Sequence, residues 1–185
     1  MSTLHVENLK GLSSGGNANK VIIPSGQTLD ASNGFTPPTG YVIQAVTATF
    51  SGTSTNSSSY VAMATCGSIT TTVANSKLLV TAAAQMQVGN STSADTKAAY
   101  ALRSSVDSYA SNLHTQAVVN YRESNTGWQQ QGMPFHILHS PSASAGTTIT
   151  YKIYGKESTG PTSIYLIDAW GLGGEGKITI LEIAP

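Results

Sequence analysis

From Tyr41 onward the chain is a succession of short runs of alternating, β-branched-rich residues separated by clusters of Ser, Gly, Asn and Pro. Alternation at a period of two places one set of side chains on each face of a strand, and turn clusters at such short intervals leave no room for long helices. Tyr41–Phe50 alternates throughout, and Ser51–Ser59 reads as a polar loop. Tyr60–Ala64 and Ile69–Val73 follow as two short strands, and Ala74–Lys77 is a tight turn. That turn leads into the longest candidate, Leu78–Val88, and five more lie at Val118–Arg122, Met133–His139, Thr147–Tyr154, Ser163–Trp170 and Lys177–Ile183. One stretch is ambiguous. Ala99, Leu102, Val106, Ala110 and Leu113 recur at helical spacings, yet Tyr100, Leu102 and Val106 also suit a strand; with strands on both sides, Ala98–Val106 is read as a strand followed by a turn. Nine or ten strands of this kind predict an all-β fold, an antiparallel β-sandwich of jelly-roll type.

The first forty residues differ. Leu4, Val6 and Leu9 alternate, a small-residue loop runs from Gly11 to Asn17, Val21, Ile22 and Ile23 form a strand-like run, and prolines stand at 24, 37 and 38. So few apolar residues cannot form a core alone. Residues 1–40 are read as an arm that docks on a partner through Leu4, Val6, Leu9, Val21, Ile22 and Ile23, with residues 41–185 as the sandwich; the alternative is one further edge strand and loop of the same domain.

Charge narrows the function. Nine basic and nine acidic residues cancel, and charged residues are 10% of the chain, against about 25% in ordinary soluble domains. In their place stand 24 Ser and 23 Thr. A hydroxyl-rich surface suits a component of a particle, which does not depend on charge repulsion to stay dispersed. The cations are scattered singly along the sequence, which argues against nucleic acid as a partner. No apolar run reaches the about 18 residues of a membrane helix, and Met1–Lys10 lacks a signal peptide's apolar stretch, so synthesis in a cytoplasm is expected. Asn56-Ser-Ser58 and Asn90-Ser-Thr92 match glycosylation acceptors but read more simply as polar loop. Cys66 is alone, which excludes an intrachain disulfide and predicts a small buried hydrophobe.

Catalytic and cofactor motifs do not hold up. Gly171, Gly173 and Gly176 satisfy a dinucleotide-loop pattern, but Lys177–Ile183 after them alternates as a strand, where that loop must open a helix. The Gly11–Lys20 stretch lacks the Gly-Lys-Ser/Thr ending of a phosphate loop. His136 and His139, three apart on a strand, point to opposite faces and cannot jointly ligate a metal. Glycan hydrolysis needs two facing carboxylates, and Asp168, in the apolar run Tyr165–Trp170, is the single candidate for a buried acid. No Gly-x-Ser-x-Gly elbow occurs. Neither catalytic residues nor a cofactor or metal are therefore expected. Tyr121, Trp128, Gln129, Gln130 and Gln131 gather aromatic and amide groups of the kind that stack on and hydrogen-bond sugars, which makes them the candidate receptor-binding cluster; a core or subunit-interface Trp beside a polar turn is the competing reading.

Several stretches resemble small fibre and virion-structural proteins of tailed phages, particularly those infecting marine cyanobacteria. The opening Leu4–Leu9, Gly16–Lys20 and Val21–Asp30 are similar to the start of such proteins, and Val42–Val46, Asn75–Val80, His139–Ser142, Thr150–Tyr154 and Ile178–Ile183 to their β domain. The resemblance implies a virion surface protein, homotrimeric, anchored by its N-terminal segment to a tail adaptor or nozzle or to the capsid, with the sandwich pointing outward. It carries no reacting group. Longer tail fibres of that group place an attachment domain and a shaft ahead of the tip, whereas little precedes Tyr41 here. A tail-fibre or receptor-binding component that contacts a host surface glycan is the leading expectation, with the loops Ser51–Ser59, Gly89–Thr96 and Asn125–Gly132 facing the host. A capsid decoration protein is the alternative, and a glycan-degrading tailspike is the enzyme class set aside for want of repeats and acids.

Overall fold

A computed structural model of the chain describes residues 13–15, 25–26, 38–90, 96–120, 127–159, 163–166 and 174–185. The chain divides between Thr36 and Pro37 into two units, and the architecture below is that of the second. Leu4, Val6, Leu9, Val21, Ile22 and Ile23 lie outside the described residues.

Ten strands follow in order among the described residues: β1 Val42–Phe50, β2 Ser54–Thr55, β3 Val61–Thr70, β4 Lys77–Asn90, β5 Thr96–Ser104, β6 His114–Asn120, β7 Gly127–His139, β8 Thr148–Thr159, β9 Ile164–Leu166 and β10 Gly176–Ile183. A single 3-10 turn, Ser105–Asp107, joins β5 to β6. Sheet I runs β1-β10-β4-β7, with the short β9 and β2 continuing beside the far half of β4; sheet II runs β3-β8-β5-β6. Every pairing is antiparallel. Leaving out the short β2 and β9, successive strands alternate between sheets except at the β5–β6 hairpin, and this order of eight principal strands in two four-stranded layers is a jelly roll.

The core lies between the layers. Leu78, Val80, Ala82, Met86 and Val88 of β4 face Tyr100 and Leu102 of β5 and Ile149, Tyr151 and Ile153 of β8, with Phe135, Ile164, Leu166, Ile178 and Ile180 completing it. Each fully buried aliphatic or aromatic side chain contributes about 1.5–3 kcal/mol. Two core tyrosines keep their hydroxyls satisfied: Tyr100 donates to the carbonyls of Gln87 and Tyr165, both at 3.3 Å, and the Tyr151 hydroxyl lies 2.8 Å from His139 Nδ1. Burial pushes both phenols well above their ordinary range. Cys66 is buried as expected, and burial pushes its thiol up to about 12.

The layers are stitched along both open sides. At one side Gln44 of β1 donates to Thr70 O of β3 at 2.7 Å. At the other, Gln116 of β6 donates to Pro134 O of β7, and His114 Nδ1 lies 3.2 Å from His136 O, its ring edge-on to Phe135 at 5.7 Å. Between the layers, a Cβ on Gly67 would come within 3.0 Å of Ile178 Cγ2 and 3.2 Å of Ala48 Cβ, so a larger residue there would require these neighbours to shift.

Two sequence expectations change. In place of two strands at Tyr60–Ala64 and Ile69–Val73 there is one, β3, which ends at Thr70 and leaves Thr71–Val73 in the turn that follows; irregularities between Ala62 and Ala64 and between Thr65 and Gly67 absorb the small residues without breaking the pairing to β8. β7 starts at Gly127 and includes most of the expected 125–132 loop. Pro134 is tolerated because β7 pairs with β4 on one side only, leaving its missing N–H on the unpaired edge.

Candidate functional site

Four of the five residues of the receptor cluster read from the sequence belong to a strand. Trp128, Gln129, Gln130 and Gln131 are successive positions of β7, in register with Gly89, Val88, Gln87 and Met86 of β4, and Gln131 is exposed. Tyr121 and Asp168 lie outside the described residues. His136 and His139 fall at opposite-face positions of β7: His136 is exposed, and His139 is half-buried against Tyr151. Among the described residues no group of three or more metal-ligating side chains gathers, and no helix is long and apolar enough to cross a membrane. A groove of about 490 Å³ opens on sheet I beside Ala83, Gln85, Gly132, Pro134 and Glu175, with Glu175 its one carboxylate among the described residues.

Among the described residues two acids are buried. Glu157 is buried on β8, and Glu182 is wholly buried at the end of β10. In Lys177–Ile183 the alternation sets Ile178, Ile180 and Glu182 on one face, so the period that identified the strand also carried Glu182 inward. Its carboxylate accepts from Gln44 Nε2 at 2.6 Å, from Thr72 N at 2.9 and 3.1 Å, from Thr72 Oγ1 at 2.9 Å and from Val73 N at 3.2 Å. Burial works against its charged form, but the hydrogen bonds from Gln44 and the Val73 and Thr72 amides outweigh it and hold the carboxyl below the usual glutamate range. A carboxylate so fully engaged anchors the β3–β4 turn and has no lone pair left for a substrate.

The outer face of sheet II carries a cluster that the sequence hides. Inward positions of β5 and β8 supply the core, so Lys97, Ala99, Ala101 and Arg103 of β5 and Lys152, Tyr154 and Lys156 of β8 share the outer face, with Arg103 opposite Lys152 and Ala101 opposite Tyr154. Ala101, in register with Tyr154, is fully buried although it lies on this face. The Arg103 guanidinium carbon sits over the rings of Tyr154 at 4.6 Å and Tyr60 at 4.7 Å; Lys156 Nζ lies 4.9 Å from the Tyr60 ring and Lys152 Nζ 4.5 Å from that of Tyr109. Tyr109 and Tyr154 meet at 6.1 Å. Such cation–ring contacts each contribute about 0.5–1 kcal/mol where exposed. Arg103 is further pinned by Nε to Asn112 Oδ1 at 2.7 Å and Nη1 to Tyr109 O at 2.9 Å. The turn that delivers Tyr109 is strained: Ser108 and Tyr109 both have left-handed φ, 58° and 65°, which a bulky residue adopts rarely.

Four of the chain's nine basic residues therefore share one face, although in sequence they stand alone. Glu157 and Glu182 are buried, Glu175 precedes β10 in sheet I, and Asp107 accepts from Ser111 N at 2.8 Å.

No family model matches the chain, and no curated protein matches it. Among solved structures it is similar to Eiger TNF from S. frugiperda, at 11% identity and TM-score 0.43, over 76% of this chain and 93% of that one. It is also similar to infectious bursal disease virus, Gx strain, at 16% identity and TM-score 0.31 over 78% of this chain and 39% of that one, and to the VP2 subviral particle of that virus at 16% and 0.31, over 76% and 38%. The chain spans about two fifths of the length of these viral chains.

Proposed function

We propose that the chain is a non-catalytic structural protein of a virion surface that assembles with further copies of itself, as a homotrimer, and with neighbouring virion proteins, and that it serves as a phage tail-fibre or receptor-binding component in host attachment. The observation that carries the assembly reading is an apolar row across the outer face of sheet I. Ala45, Leu181, Leu79 and Leu138 stand side by side in register on β1, β10, β4 and β7, and the pair Val42 and Ile183 adjoins them. Leu138 is 53% exposed and Val42 46%. Three aligned leucines, continued by Ala45 onto the fourth strand, favour a protein partner over water. The next row, Thr47, Thr179, Thr81 and His136, offers hydroxyls and an imidazole, not like charges that would repel an identical copy. The charge-poor surface and the resemblance to phage fibre and virion-structural proteins support the same reading.

Sedimentation equilibrium tests it. The wild type should sediment at three times the 19.1 kDa chain mass, and Leu79→Lys with Leu138→Lys should give a folded monomer. A folded wild-type monomer at micromolar concentration would overturn the assembly reading.

A further inference from the structure

We propose that the outer face of sheet II, centred on Arg103, is a binding site for an acidic saccharide, a sugar bearing carboxylate, sulfate or phosphate. Arg103 has five N–H donors, and two of its nitrogens are committed to Asn112 and Tyr109. The donors that remain are both on Nη2 and one on Nη1, the end-on pair of nitrogens that can grip a planar or tetrahedral anion as a fork. Two rings and two hydrogen bonds already hold the guanidinium in place, so the fork is oriented before a ligand arrives. Lys152 and Lys156 flank it, each over a tyrosine ring. A ring, unlike a carboxylate, does not neutralise the cation it touches, so the cluster keeps its positive charge in a chain of zero net charge.

The tyrosines decide between kinds of anion. Tyr60, Tyr109 and Tyr154 are half-buried, so each presents part of an aromatic surface beside the cations, and such surfaces pack on the C–H faces of sugar rings. Tyr109 is held there against its backbone preference, the kind of strain that collects at binding sites. A polynucleotide would also find rings and cations, but its affinity rises with the number of phosphates neutralised, and a chain with pI near 6.9 presents three or four cations on this face, not a long basic stripe. The site deepens the attachment reading and rests on it only for the claim that the saccharide belongs to a host surface.

Titration calorimetry with alginate oligosaccharides and dextran sulfate, against neutral dextran, polyphosphate and single-stranded DNA, tests the site on the full chain. The expected result is saturable binding of at least one acidic saccharide and none of neutral dextran. Affinity should fall at least tenfold in Arg103→Gln and in Tyr154→Ala, with an unchanged circular dichroism spectrum. Tyr154→Phe, which keeps the ring, should bind as the wild type does. No saturable binding to either acidic saccharide would overturn the proposal, as would polyphosphate or DNA binding as tightly while Tyr154→Ala leaves affinity unchanged. Adsorption to host cells separates the two readings. Saccharide binding without competition for cell adsorption leaves the site standing and overturns its role in host attachment; adsorption by a protein that binds neither acidic saccharide saturably overturns the site and leaves attachment standing.

Discussion

Replacing Glu182 by Ala should destabilise the sandwich by about 3 kcal/mol, a value that follows from what the carboxylate holds. It accepts from the Thr72 and Val73 amides, the Thr72 hydroxyl and the Gln44 side chain. Hydrogen bonds to a charged group contribute about 1.5–3 kcal/mol each, and an orphaned buried donor costs about 1–3 kcal/mol. These values do not add here, because Thr72 is exposed and water can replace part of what its donors lose, whereas Val73 and Gln44 are half-covered. For a chain of this length each kcal/mol moves Tm by about 2–4 °C, so the midpoint should fall by about 6–12 °C at pH 7. Glu182→Gln should cost less, about 1–2 kcal/mol, since its carbonyl can still accept from the turn while its NH₂ confronts that of Gln44. The pH dependence has a definite sign. The folded carboxyl titrates below its ordinary value of 4.5, so its contribution is complete above that value and is lost as pH falls through the folded pKa. Thermal unfolding followed by circular dichroism should therefore show a gap between wild type and Glu182→Ala that is constant from pH 7 down to about pH 5 and closes at lower pH. Equal midpoints at pH 7, or a gap that does not narrow in acid, would refute the anchoring role.

Two further outcomes follow from the packing. Cys66, buried and with its thiol pushed up to about 12, should resist an aromatic disulfide reagent at pH 8 for hours in the folded protein and react within minutes in denaturant; rapid native reaction would mean that β3 opens. Gly52→Ala should destabilise more than Gly155→Ala, by about 1–3 kcal/mol over any common effect. The new Cβ at 52 would meet the backbone carbonyl of Leu166, which cannot move aside, whereas at 155 it would meet the flexible end of Met63. Urea unfolding of the two variants ranks them, and the reverse order would show that the β2–β9 contact is loose.

The strands were legible because each buries one face and the alternation is written in the residues. Lys77–Asn90 and Gly176–Ile183 show this plainly, and so does β5, where the strand reading prevailed over helical spacing because Ala98, Tyr100 and Leu102 face the core while Lys97 and Arg103 do not. Less legible were features set by neighbours. β3 reads as two strands because a bulge leaves no local mark beyond small residues such as Gly67, and β7 reads short because Gly132 and Pro134 look like breakers until its position as an edge strand is known. The candidate site could not be read at all. Arg103 meets Lys152 through strand register across some fifty residues, and Tyr60 and Tyr109 arrive from separate loops. Glu182 could have been found, since it shares its alternation face with Ile178 and Ile180.

The central claim, that this chain is part of a particle surface, is tested most directly by its copy number in purified virions, measured by quantitative mass spectrometry against the major coat protein. The account predicts a few to a few tens of copies per particle, in multiples of three, as a tail component would show. Hundreds of copies would move it to the capsid shell as decoration, and its absence from particles that infect would contradict the claim.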